Sequence, residues 1–431
     1  MREEIPDPSD MQAVSQAVLD DAIKKHAMFL RGDQGGARCI LQYRNLSHLD
    51  FHRADLSQAD FTASLIIEAN LSGGKFAGAN FFGSDLRNSD LSSANLTRSD
   101  LRGAYLAGVN LTDAILKEAD MREGKIMKRD KKGMLTDRKR SGGAGAKTVL
   151  TGAKMSGTNM TGVQAISADF TDADLSGVTL TDANLRGAGF TGANLADSDM
   201  TGADLTSATM RDAIIAGTVM KDTETSDLDI GGAITERDMG DKLENLGKTL
   251  SELLEEHTLW VSTAGRRGRQ LDLSGYDLRE VRDLRTFPLT AIHAAGANFL
   301  SQDLRHAEMQ SAIFDRSDFR DCNMEKSDLR GSSFKYAQMS RAKLAGAMLC
   351  PLQFNNPDGT KRIRRVDFTG ASFRYANFTG ADLRDCILTG VDLTSAILRD
   401  CDLRRANLSG AILKGAVLDG AKLDETGLNT A

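Results

Sequence analysis

Residues Ser84 to Leu116 read SDLRN SDLSS ANLTR SDLRG AYLAG VNLTD AIL, a pattern with a period of five. A leucine stands at every fifth place (Leu86, Leu91, Leu96, Leu101, Leu106, Leu111, Leu116), and two places before each is a small residue (Ser84, Ser89, Ala94, Ser99, Ala104, Val109, Ala114). Helices repeat every 3.6 residues and strands every two, so neither accommodates this spacing. A chain that presents the same face every five residues must turn a corner once per repeat and stack coil upon coil, which makes a solenoid.

Followed upstream, the frame runs from Leu41 through Leu46, Phe51, Leu56, Phe61, Ile66, Leu71, Phe76 and Phe81; downstream it reaches Met121 and Ile126 and stops at Met127. The next stretch carries Lys128, Arg129, Lys131, Lys132, Arg138, Lys139 and Arg140, a charge density that cannot be buried unpaired, so we read a solvent-exposed, mobile loop. Leu150 restarts the count in a shifted frame that continues to Met220, and after Asp222 the pattern dissolves. A second run settles at Phe299, breaks after Phe354 into a segment carrying Lys361, Arg362, Arg364 and Arg365, then reopens at Phe368 and runs to Leu428. Asn356-Pro357-Asp358-Gly359 is a turn signal inside that second break.

A helix precedes each run. Ser9 is a candidate N-cap for a helix with Met11, Val14, Val18, Ala22 and Phe29 on one face, ending near Gly32; Thr235 and Asp238 suggest a capping box ahead of Met239, Leu243, Leu246, Leu250, Leu253 and Trp260. We expect the second helix to lie on a solenoid end or flank, with a coiled-coil contact as the alternative. The two regions align: His26 with His257, Phe29 with Trp260, Gly36 with Gly268, and Leu41 with Leu273. The chain therefore reads as two tandem copies of one plan. The expected divisions are a capping helix at 1–38, a first solenoid at 39–234 with a basic loop at 127–149, a second capping or linker helix at 235–269, and a second solenoid at 270–431 with a basic loop at 355–365.

The stretches ADFTD ADLSG (Ala168 to Gly177) and ANFTG ADLRD (Ala376 to Asp385) carry an A-(D/N)-L-x-x signature that resembles the pentapeptide repeat family. That resemblance implies an all-β solenoid, a right-handed quadrilateral β-helix with about 20 residues per coil, here with α-helical caps. It also implies that the centre residue and the small residue two before it point inward. Residues 20 apart should then stack, putting Phe61 on Phe81, Phe170 on Phe190, and Phe314 in line with Phe334 and Phe354. Cys39, Cys322, Cys386 and Cys401 fall on the small inward position and read as packed thiols rather than ligands.

Composition narrows the function classes. The chain has 431 residues, 41% of them hydrophobic, and no apolar run near the roughly 18 residues that span a bilayer, so no membrane association is expected. Its net charge of -6 argues against direct nucleic-acid binding. Five scattered cysteines without C-x-x-C spacing and no visible signal peptide point to a cytoplasmic setting. GGAGAKT (Gly142 to Thr148) only superficially resembles a phosphate-binding loop, because Ala146 stands where a glycine should precede the lysine. RRGRQLDLSG (Arg266 to Gly275) echoes a cyclic-dinucleotide motif, but Leu271 and Leu273 are already repeat residues. No Ser-His-acid group or carboxylate pair stands out, so no enzyme, metal or cofactor is expected.

What remains is surface. The expected function is a non-enzymatic protein-interaction scaffold presenting flat faces and two basic loops, with Lys128, Arg129, Lys131, Lys132, Arg138, Lys139, Arg140, Lys361, Arg362, Arg364 and Arg365 as the candidate partner-binding residues. The alternative comes from the resemblance: some members mimic DNA and bind gyrase or topoisomerase, giving quinolone resistance. The column Asp60, Asn80, Asp100, Asp120 suggests it, although Arg102 and Arg122 stand beside it. A final coil at Leu418 to Leu428 with no helix after it suggests a homodimer through the C-terminal coil.

Overall fold

Within one pentad every backbone donor finds an acceptor, which explains why the repeat takes the form it does. In 94–98, Ala94 N–H closes a turn onto Leu91 O (3.1 Å), Asn95 N–H reaches back one coil to Gly74 O (2.9 Å), and Leu96 N–H reaches forward to Ile115 O (2.7 Å). Arg98 N–H bonds Lys117 O (2.9 Å), and Thr97 N–H, which has no backbone partner, is taken by Asn95 Oδ1 (3.0 Å). The Asp or Asn before each centre residue is therefore an acceptor built into the repeat. The second residue after the centre takes the left-handed conformation that turns the corner, as at Ser93 (φ 55°) and Arg98 (φ 55°).

The structure is a computed structural model that describes residues 11–125, 127–129, 135–137, 147–235, 239–355 and 361–424. The chain divides into two compact units, Met1–Glu236 and Arg237–Ala431. In each, single-residue parallel bridges join positions 20 apart, four to a coil: Asp60, Asn80, Asp100 and Asp120 form one column, and Asp85 with Tyr105, Asp90 with Asn110, and Asn95 with Ile115 mark the others. The centre residues are fully buried, from Leu46 to Met210 in the first unit and from Leu273 to Leu398 in the second. At about 1.5 to 3 kcal/mol of transfer free energy for each such side chain, these columns are the main source of stability.

Aromatic ladders run along the axis. Phe61 stacks on Phe81 at 5.1 Å, Phe170 on Phe190 at 5.0 Å, and Phe314 on Phe334 at 5.0 Å. The next rung above Phe334 is Phe368 at 5.2 Å, not Phe354, which lies outside the core and is 39% exposed. Several small inward residues with a polar hydrogen bond the coil before: Ser84 Oγ donates to Phe61 O (2.8 Å), and the Cys322 and Cys401 thiols donate to Phe299 O (2.8 Å) and Phe378 O (2.9 Å). Burial pushes Cys39 and Cys401 up to about 11, and Cys322 and Cys386 well above the ordinary thiol range, so all four behave as core residues.

The first helix, α1, spans Gln16–Arg31 with Ser15 as N-cap, not a residue near Ser9, which lies outside the described residues. Gln12 to Val14 instead form an extended rung on the first coil, with Asn45 N–H donating to Gln12 O and Val14 N–H to Asn45 O. The second helix, α2, spans Leu250–Ser262, and its capping box is Thr249 with Glu252; Asp238 lies outside the described residues. Again an extended rung comes first, Asp241 paired with Tyr276, followed by a 3₁₀ turn at Leu243–Leu246. In both units the open backbone edge of the first coil outcompetes the helical periodicity of the residues that cover it. The repeat also outlasts its apolar signal, since Glu224, Asp229 and Ile234 still pair with Asp204, Thr209 and Ile214.

His26 and His257 make the duplication physical. Each is fully buried; Cys39 N–H and Leu271 N–H donate to their Nδ1 atoms (3.0 and 3.1 Å), and their Nε2 atoms bond Ser57 O and Thr290 O (both 3.0 Å). An Nδ1 that accepts and an Nε2 that donates define a neutral imidazole in one tautomer. The partner helix residues pack against these rings, Phe29 tilted over His26 at 5.6 Å and Trp260 stacked on His257 at 5.7 Å. At Gly36 and Gly268 a Cβ would collide with the backbone of the same helices, which explains the second matched pair.

Burial lowers both histidines below their ordinary value of 6.5. The unfolded chain therefore takes up protons first as pH falls, so the stabilisation is complete above pH 6.5 and is lost as pH drops through 6.5 toward the lowered native values. Urea unfolding between pH 7.5 and 5 should show stability falling across that window. His257→Ala, which leaves Leu271 N–H and Thr290 O unpaired, should cost about 1 to 3 kcal/mol at pH 7.5 and flatten the slope. An equally steep slope in the variant would show that His257 is not the titrating group.

Candidate interaction surface

Each ladder skips once over a long insertion, and the second also begins with a 21-residue step from Asp272 to His293. Tyr105 pairs with Val149 and Asp120 with Gln164, and in the second unit Ser333 pairs with Asp367 and Met348 with Asp382, so the coils close over inserted chain without losing register. Pro351 falls at the corner position that requires positive φ, which proline cannot adopt, so the chain leaves the ladder there. Both insertions form antiparallel hairpins. Strands β1 (Met127–Arg129) and β2 (Leu135–Asp137) pair Lys128 with Thr136; β3 (Leu352–Asn355) and β4 (Lys361–Arg364) pair Phe354 with Arg362 and Leu352 with Arg364. The basic segments expected as loops are in these parts paired strands.

Of the candidate partner-binding residues, Lys128 and Arg129 lie on β1, while Lys131, Lys132, Arg138, Lys139 and Arg140 fall outside the described residues. Lys361, Arg362 and Arg364 lie on β4, the first two exposed and Arg364 half-buried, and exposed Arg365 follows directly. The turn signal at Asn356 to Gly359 also falls outside the described residues. Gly331, at a corner with φ 72°, lies under the base of this hairpin, where an added Cβ would meet the Cβ atoms of Leu352 and Arg364 at 3.1 Å. Ile363 is 55% exposed beside these cations.

The flat faces are electrostatically self-paired through a motif not picked out from the sequence. Where Asp precedes a centre residue and Arg follows it, the Arg commonly folds back in a two-point ion pair: Arg330 Nε and Nη2 on Asp328 (2.9 and 2.6 Å), and Arg384 on Asp382 (2.8 and 2.6 Å); at Asp283-Leu284-Arg285 the Arg reaches Asp303 instead (3.1 Å). The hydrogen bonds from Arg305 and Arg404 hold Asp303 and Asp402 down at about 2. The triplet of Asp, a large apolar residue (Leu, Phe or Met) and Arg is the signal that would have found it. The column at Asp100 and Asp120 follows the same rule, with Arg102 on Asp100 and Arg122 on Asp120 (both 2.7 Å), and Arg102 also reaching Asp120 at 3.6 Å.

The sequence model described as pentapeptide repeats (8 copies) matches overlapping stretches within 45–123, 146–222, 289–349 and 362–424, well over half of the chain. The chain belongs to the pentapeptide repeat family. Its repeats are thus those of the family, and the two hairpins lie largely in the gaps between matches. No curated protein is significantly similar to it. Among solved structures it is similar to HetL, a pentapeptide repeat protein involved in heterocyst differentiation regulation from the cyanobacterium Nostoc sp. strain PCC 7120 (19% identity, 92% of this chain and 95% of that one, TM-score 0.19). It is also similar to QnrB1, a plasmid-mediated fluoroquinolone resistance protein (16% identity, 46% of this chain and 92% of that one, TM-score 0.23), and to Rfr23 from the cyanobacterium Cyanothece 51142 (25% identity, 32% and 91%, TM-score 0.18).

The remaining motifs resolve into the repeat. Leu271 and Leu273 are buried core residues, and Thr148, fully buried, donates its hydroxyl to Leu101 O (3.1 Å), while Gly142 to Ala146 fall outside the described residues. Among the described residues no helix is long and apolar enough to cross a membrane, and no His, Cys, Asp and Glu cluster has the arrangement of a metal site.

Proposed function

We propose that this protein is a non-enzymatic interaction scaffold, a right-handed quadrilateral coil closed by helices whose two basic hairpins carry recognition of a protein partner in the cytoplasm. The supporting observation is that each ladder closes across its hairpin in unbroken register, so the hairpin contributes nothing the coil needs. Asp and Arg residues pair with each other on the coil faces at Asp100, Asp120, Asp328 and Asp382, while the acidic residues of the coils after 147 are spread over several faces. The same pairing weakens the DNA-mimic alternative, because Arg102 and Arg122 break the one acidic column that suggested it.

A homodimer through the C-terminal coil belongs to this reading. Leu413, Leu418 and Leu423 are half-exposed at their centre positions and Ile412 is 51% exposed, while Leu428 lies outside the described residues. The scaffold reading is tested by reversing the charge of Lys361, Arg362 and Arg364 to Glu in the native host and comparing co-purified proteins quantitatively. At least one abundant partner should drop tenfold or more while the melting temperature and the light-scattering mass, expected to be that of a dimer, stay unchanged. An unchanged partner set would sink the reading, and a monomer mass in the unaltered protein would remove the dimer.

A further inference from the structure

Between β4 and the coil column Ser333, Asp367 and Ile387 lies a groove of about 370 Å³, bordered on the hairpin side by Ile363, Arg364 and Arg365 and by no residue of β3. The hairpin is a two-stranded sheet, so β4 has one edge without a strand partner, and the lining places that edge along the groove. Lys335 pairs with Asp367 at 3.3 Å, which leaves Arg364, without an ion pair among the described residues, and exposed Arg365 as the surplus positive charge. Ile363, 55% exposed, and half-buried Ile387 supply apolar contact on either side.

We propose that this groove binds an extended segment of a partner protein, alternating acidic with branched apolar residues, which adds to β4 as a third strand. The inference rests on the scaffold reading above and names the chemistry of the partner. Main-chain pairing to the open edge supplies affinity, and the two faces of the added strand supply specificity: carboxylates on the face shared with Arg364, and apolar groups on the face shared with Ile363. A nucleic acid fits less well, because the Asp367 carboxylate lines the groove, Asp385 lies close enough to Arg365 to feel its charge, and the two isoleucines offer nothing to a phosphate backbone.

The test is selection of a random seven-residue peptide display library on the full-length protein, followed by fluorescence anisotropy of the best synthetic peptide. We expect enrichment of alternating Asp or Glu with Val, Ile or Leu, and at least tenfold weaker binding to R364E/R365E. N-methylation of alternate peptide amides should abolish binding in one phase and leave it intact in the other. Should the double variant fail to melt like the parent, I363D gives the same readout. No acidic-apolar family, an affinity for both variants equal to that for the parent, or a 20-base-pair DNA duplex that binds more tightly and displaces the peptide would each overturn the proposal. If peptide binding fails while the charge-reversed hairpin still loses its native partner, the groove is wrong and the scaffold stands; if both fail, both fall.

Discussion

Leu96→Asp is expected to unfold the coils around it. Leu96 is fully buried at the centre of a pentad, in the continuous core of the first unit, and its backbone is locked by the bond to Ile115 O. Replacing it removes a buried aliphatic side chain and places a carboxylate where no cation or free donor can meet it, a combined cost on the order of 5 kcal/mol or more. Coils contact mainly their neighbours, so the damage spreads along the stack rather than staying at one residue. Three residues earlier, Ser93 is exposed at a left-handed corner, a conformation Asp already adopts at Asp113 (φ 57°). Ser93→Asp should change stability by about 1 kcal/mol or less. Far-UV circular dichroism and urea unfolding of both variants check the pair, and a Leu96→Asp protein as stable as Ser93→Asp would refute the inward assignment.

The second large effect is at Phe334. This ring packs on Phe314 at 5.0 Å, on Phe319 at 5.6 Å and on Phe368 at 5.2 Å, and it joins the rungs on either side of the hairpin. Truncation to alanine opens a cavity that a stacked ladder cannot collapse, and Phe334→Ala should cost about 3 to 5 kcal/mol. Phe354, which the uninterrupted count of 20 would make its neighbour, is 39% exposed on β3, and Phe354→Ala should cost about 1 kcal/mol or less. Thermal unfolding distinguishes the two; comparable losses would mean that the ladder runs through Phe354 and that the register across the hairpin is wrong.

The fold was legible at Leu96 because a regular repeat states one local solution many times, and an apolar residue every fifth place has only one way to be buried. The preference for Asp or Asn before it was equally visible, although its reason, the otherwise unpaired N–H at Thr97, is a matter of geometry. Re-entry points were not legible at Phe354, since the count continues through β3 while the backbone has already left at Pro351. Met11 and Met239 belong to patterns that read as helical, yet both segments begin as extended rungs, because an open coil edge is a tertiary demand that local periodicity cannot express. Thr225 is the converse, an exposed polar centre in a rung held by backbone pairing and side-chain hydrogen bonds in place of a buried apolar centre. At the candidate site, the basic residues were evident but the groove beside β4 was not, because Ile363 and Ile387 come to line one groove only through the stacking of coils distant in sequence.

The central claim is that the ladder supplies shape and the hairpins are additions to it. Its most direct measurement is the melting temperature of a chain lacking residues 351–364, which returns Ser333 and Asp367 to a 20-residue step and puts Arg365 on the corner that Pro351 cannot occupy. Arginine already takes that corner at Arg316 (φ 62°) and Arg341 (φ 62°). The account predicts a cooperative transition within a few degrees of the full chain, since none of the described residues that are lost belongs to the buried core. A broad transition or a collapse of the β signal would contradict it, and would make the hairpin part of what holds the coils together.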